Sequence, residues 1–117
     1  MKIQTSAEIT SLTWDAQDID LNESHNIDLE FSAIDTGGGF KDPMLDFSIP
    51  LTKSFQQDDE SQPNLRLTLV DPNNKDKKVG LSFCGEVTVS NQQINGRIKE
   101  DQLSRDVIGF VINLLRQ

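Results

Sequence analysis

Tyrosine is absent from this 117-residue chain, and cysteine, histidine and tryptophan occur once each, as Cys84, His25 and Trp14. A single cysteine excludes an internal disulfide. One histidine and one cysteine give no set of metal ligands with zinc-site spacing. His25 lies in a polar turn with no serine or cysteine motif to serve, so it reads as a surface histidine. Cys84 shows no neighbouring cation or helix start that would generate a thiolate. Long apolar runs are also missing, and a membrane helix needs roughly twenty such residues. The first ten residues, MKIQTSAEIT, lack the continuous apolar stretch of a secretory signal. A cytoplasmic protein forming a single domain over residues 1–117 is the expectation.

Basic residues are scarce in the first half. The net charge is −8, and Asp15, Asp18, Asp20, Asp28 and Glu30 suggest an acidic face. Lysine and arginine gather later, at Arg66, Lys75, Lys77, Lys78, Arg97, Lys99, Arg105 and Arg116. Direct nucleic-acid binding is not expected, because phosphate contacts require clustered cations. A basic protein partner is compatible with the charge.

Three stretches invite a chemical reading and fail it. Asp18-Ile-Asp20-Leu-Asn22 opens like a calcium loop, but the glycine and glutamate that motif needs are Glu23 and Leu29 here. Gly37-Gly38-Gly39 is followed by Phe40-Lys41, without the Lys-Ser/Thr pair of a phosphate loop. Asp58-Asp59-Glu60 reads as a solvated run, whereas acid–base and metal sites need converging, rigidly held carboxylates. Neither a cofactor nor a catalytic set is expected, and the chain reads as a non-enzyme.

What is present is alternation. In KIQTSAEITSLTWDA, Ile3, Thr5, Ala7 and Ile9 share one phase, while Leu12, Trp14 and Ala16 share the other. A strand has period two, so a bulge near Thr10–Ser11 is needed to put both sets on one face. NIDLEFSAI alternates cleanly, as a half-buried antiparallel strand does. DTGGGFKDP reads as a loop, and MLDFSIPLTKSF as a strand that Pro50 confines to an edge or stops. NLRLTLV and VGLSFCGEVTVSN, joined by the turn formers DPNNKDKK, read as the last and best-defined hairpin. Asn95-Gly96 carries a turn signal, and Asp101 reads as the helix N-cap.

The last segment is helical. At about 100° per residue, Phe110, Leu103, Leu114, Val107, Val111, Leu115, Ile108 and Ile112 fill an arc of roughly 200°. Packing on one sheet face uses little more than 100°. The surplus, centred on Ile108, Ile112 and Leu115, suggests a protein interface, with a homo-oligomer or a covering loop as the ways to bury it. Val111, Trp14, Phe40 and Phe55 are added to that candidate interface. The expected fold is α+β: an antiparallel, strongly bent sheet of about five strands, with one C-terminal helix packed on one face.

This order resembles the SecB-type export chaperones and SecB-like proteins. IQTSAEITSLTWDA and NIDLEFSAI stand for their first two strands, and LRLTLVDPNNKDKKVGLSFCGEVTV for the last hairpin, with its Phe83-x-Gly85-x-Val87 rhythm. The segment from Asp101 stands for their long helix. The chain departs from them in having KEDQLSRDV where they carry an aromatic–proline stretch, in lacking a second helix, and in a segment from Gly37 to Gln62 that resembles an insertion. The resemblance implies a protomer that dimerises or tetramerises through helices or sheet edges and holds polypeptide in apolar grooves between sheet and helix. The alternative reading is a small acidic inhibitor, an immunity protein, antitoxin or phage-borne blocker of a basic nucleic-acid-acting enzyme.

Overall fold

The phase change in the first fifteen residues is resolved by one extra residue. In the computed structural model, which describes residues 2–19, 26–50, 64–84, 87–90 and 93–116, strand β1 (Lys2–Trp14) shifts register against its neighbour between Ile9 and Ser11. The bulge lets Ala7, Ile9, Leu12 and Trp14 all enter the core. β1 turns through Asp15-Ala16 into the short β2 (Gln17–Asp18), with both turn residues at positive φ, 49° and 68°. Such a two-residue hairpin favours Asn-Gly, because positive φ crowds a Cβ.

β3 (Asn26–Asp35) pairs with β1 and presents Ile27, Leu29, Phe31 and Ala33 to the core. β4 (Phe40–Pro50) follows after a connection of only four residues. β4 takes in Phe40 to Pro43, which read as loop, as well as the strand expected from Met44, and it is central, lying between β3 and β8 (Gln93–Ile98). Pro50 is its last described residue and pairs with Gln93 of β8, so the proline does not confine this strand to an edge. An extra residue in β4, with Asp42 at φ 52°, marks a second bulge where Ser32 and Ile34 meet Met44 and Lys41.

β5 (Asn64–Asp71) and β6 (Asn74–Cys84) form the expected hairpin. Its turn is tighter than DPNNKDKK suggested, since β6 already begins at Asn74. Asp71, buried to 1%, accepts the Asn73 amide at 2.9 Å and closes the turn. β6 stops at Cys84, and VGLSFCGEVTVSN is not one strand: β7 (Val87–Ser90) pairs instead with β8.

The sheet order is β6-β5-β1-β3-β4-β8-β7, with β2 beside β1 and every pairing antiparallel. These are eight described strands against the five expected. The excess comes from the two-residue β2, from the division of VGLSFCGEVTVSN between β6 and β7, and from Asn95-Gly96, which lies inside β8 and not in a turn. β6 and β7 occupy opposite ends of the sheet, yet Cys84 and Val87 are three residues apart. That is a span of at most about 11 Å. The sheet must therefore curl until its edges meet at that corner. The rings of Phe47 on β4 and Phe83 on β6 confirm the curl by meeting edge to face at 5.3 Å.

Helix α1 (Arg105–Leu115) completes the core against β1 and β6. Its N-cap is Ser104, whose hydroxyl accepts the Val107 amide at 3.2 Å. Asp101 belongs instead to a preceding 3-10 turn, Glu100–Gln102. Val107, Phe110, Val111 and Leu114 are buried, as the helical arc required. Each contributes about 1.5–3 kcal/mol of apolar burial. No helix among the described residues is long and apolar enough to cross a membrane.

Candidate protein-interaction site

The expected interface residues separate into distinct groups. Val111 (1% exposed) and Trp14 (6%) are core residues: the bulge in β1 turns Trp14 inward, and Val111 belongs to the buried arc of the helix. They are not available to a partner on this surface. Ile108, Ile112 and Leu115 are half-buried, on the flank of α1 that turns away from the core's centre. Of these, Leu115 still packs on the core's margin. Phe40 is 43% exposed at the end of the β3–β4 hairpin, where its ring meets Phe31 edge to face at 5.7 Å and Ile34 is 55% exposed beside it. Phe55 lies outside the described residues.

The expected acidic face divides in the same way. Asp15 and Asp18 sit at the β1–β2 turn, and Asp15 spends a carboxylate oxygen on the Asn64 amide at 2.8 Å. Asp28 and Glu30 lie far along the sheet, opposite Ser6 and Gln4 of β1. Asp20 lies outside the described residues. Register adds a neighbour the sequence could not show: Asp46 of β4 stands directly opposite Glu30, and Arg97 of β8 directly opposite Asp46.

The resulting outer surface is a depression of about 940 Å³ with mixed walls, polar at Gln4, Asp28, Glu30 and Arg97 and apolar at Leu29 and Val87. Much of its charge is internally matched. Arg97 donates to both oxygens of Asp46, at 2.8 and 3.3 Å. Glu30 accepts from the Gln4 amide at 2.9 Å and pairs with Lys2 at 3.3 Å. The Gln4 hydrogen bond, joined by Lys2, holds the Glu30 carboxyl below its ordinary range, against the opposing effects of partial burial and of Asp46. Gln93 bonds Ser48 across the same face. Among the described residues the Asp28 carboxylate makes no hydrogen bond or ion pair. These groups form a matched polar ladder, with no nucleophile beside a base. Among the described residues no group of three histidine, cysteine or acidic side chains is placed to hold a metal.

A second depression, of about 570 Å³, runs between edge strand β6 and helix α1, with walls from Asp76–Gly80 and from Ser104, Arg105, Asp106, Gly109 and Asn113 over a floor at Phe110. It is the opening the described structure leaves between sheet and helix, and its walls are more polar than the apolar groove the resemblance implied. Cys84, at the far end of β6, is exposed, but its backbone is engaged. The Gln102 side-chain amide donates to the Cys84 carbonyl at 2.9 Å and accepts the Cys84 N–H at 2.8 Å. Nothing in the spacing of Cys84 and Gln102 announced that cap.

No protein-family model, curated protein or solved structure matches this chain.

Proposed function

We propose that this protein is a non-enzymatic polypeptide-binding module, a SecB-like holding chaperone or adaptor, that assembles with a second copy through the outer flank of α1. One observation carries the reading: Ile108 and Ile112 stay only partly buried on one flank of α1, while Val107, Val111 and Leu114 are buried on the face toward the sheet. Two adjacent isoleucines one helical turn apart are an apolar stripe that association would remove from water. Light scattering of the wild type and of Ile108→Glu and Ile112→Glu tests it. The wild type is expected to be a homo-oligomer, and the variants folded monomers with weakened suppression of the aggregation of a chemically denatured client. A monomeric wild type that leaves client aggregation unchanged would falsify the reading.

The acidic-inhibitor reading retains one supporting observation, the open Asp28 carboxylate within a chain of net charge −8. It requires tight binding to a basic protein that weakens steeply with salt. Asp28→Lys should then reduce that binding while leaving the oligomeric state alone.

A further inference from the structure

Two glycines in regular structure, Gly80 in β6 and Gly109 in α1, are not required to be glycine by anything among the described residues. A Cβ on either would meet nothing within 4 Å, and neither has positive φ. Both line the groove between β6 and α1. A glycine inside a helix or strand is destabilising, and in a strand it often marks the close approach of another backbone.

The edge of β6 indicates what approaches. The pairing of β5 with β6 is regular from Asn64↔Cys84 to Val70↔Lys78. At Cys84 the backbone N–H and C=O point out of the sheet, since both are taken by the Gln102 amide. Antiparallel ladders alternate, so the same groups of Ser82, Gly80 and Lys78 also point outward. No hydrogen bond to them is present among the described residues. Gln102 already places one amide where the next strand would run. Charge narrows the occupant. Lys77, Lys78 and Arg105 line the groove without an ion-pair partner among the described residues, against Asp76 and Asp106. The local balance is therefore positive in a chain of net charge −8. Lysines on an edge also repel the same edge of a second copy.

We infer that β6 accepts an extended acidic segment of a partner polypeptide as an added strand, paired through Lys78, Gly80 and Ser82 and lying against the bare helix surface at Gly109. Main-chain pairing supplies affinity and the lysines select the sign of the partner's charge. The site is separate from the Ile108–Ile112 flank, and either can fail without the other.

The probe is a synthetic heptapeptide of alternating glutamate and valine, with its lysine–valine counterpart as control, followed by fluorescence anisotropy and residue-resolved amide exchange. The acidic peptide should bind and slow exchange at Lys78, Gly80 and Ser82, and the basic peptide should not. Gly80→Pro removes one outward N–H and leaves the bonds to β5, so affinity should fall about tenfold, the worth of one main-chain hydrogen bond. Gly109→Phe fills the groove from the helix and should abolish binding with the fold intact, so the test survives if the proline variant does not fold. Equal binding of both peptides, protection at other residues, or unchanged affinity in Gly109→Phe overturns the inference. So does concentration-dependent protection of the same three amides without peptide, which would assign the edge to a second copy.

Discussion

Gly96 and the Gly80–Gly109 pair show opposite uses of the same residue. At Gly96 an added Cβ would lie 2.3 Å from Cζ and 2.5 Å from Cε1 of Phe47, the residue directly opposite on β4. The Phe47 ring occupies the volume a side chain would take, and from there it reaches Phe83 across the curled sheet. That glycine is required by the core. Around Gly80 and Gly109 an added Cβ would meet nothing within 4 Å, and nothing among the described residues requires them to be glycine. The difference separates a seam that the fold has closed from one that it has left open.

The largest test of this contrast is Gly96→Ala. The ring must leave its position or the strands must part, and overpacking of this kind costs about 1–3 kcal/mol. The upper end is expected here, because Phe47 is only 3% exposed and hemmed in by core on its other sides. Urea denaturation measures the loss. Combining Gly96→Ala with Phe47→Leu should recover part of it, since two residues sharing one volume are not additive. Equal losses in the single and double variants would mean that the ring is not what the alanine meets.

The same pair of residues shows where sequence reading stops. Asn-Gly is a strong hairpin signal, and local chemistry alone puts a turn at Asn95-Gly96. Register overrides it: Gly96 is needed opposite a phenylalanine, a fact that exists only once β4 and β8 are neighbours. Features within one element were legible. The switch of phase in β1 placed the bulge at Thr10–Ser11, and the 3.6-residue period sorted Val107, Phe110, Val111 and Leu114 from Ile108 and Ile112. Features requiring two distant segments were not. The Lys2–Glu30 and Arg97–Asp46 pairs, the Gln102 cap on Cys84, and the jump from β6 to β7 across the curled sheet all depend on which strands adjoin. Three glycines and a proline disguised the first four residues of β4, Phe40 to Pro43, as loop, while the alternation of Leu45, Phe47 and Ile49 marked the rest of the strand and its core face. The candidate interface was legible in the same proportion. The helix flank could be drawn from sequence, while Trp14 and Val111 could be struck from the interface only once the closed core showed them buried.

A smaller effect, of opposite sign, is expected where glycine is missing. Ala16 holds φ 68° in the β1–β2 turn, next to Asp15 at φ 49°. The left-handed region costs an alanine about 1–2 kcal/mol relative to a glycine that visits it freely. The unfolded chain gains freedom with glycine, which offsets part of that benefit. Ala16→Gly should therefore raise the melting temperature by a few degrees, roughly 4 °C for each 1 kcal/mol. Calorimetry decides it, and a lower melting temperature would show that the turn relaxes out of the left-handed region.

The smallest effect is the most discriminating. Gly109→Ala places a methyl group on an exposed stretch of α1 where nothing lies within 4 Å. Helix propensity alone then stabilises the protein by about 0.8–1.0 kcal/mol. Gly96→Ala and Gly109→Ala thus make the same chemical change in the same molecule with opposite signs, and free volume is the variable that sets the sign. Denaturation measured at low and high protein concentration adds a further cut. If α1 is open on this side, the gain is independent of concentration. If a second copy packs against Gly109, the gain shrinks as the protein is concentrated, because the methyl group then meets the partner's backbone. A stabilisation that persists at high concentration leaves the groove beside β6 free for a different chain.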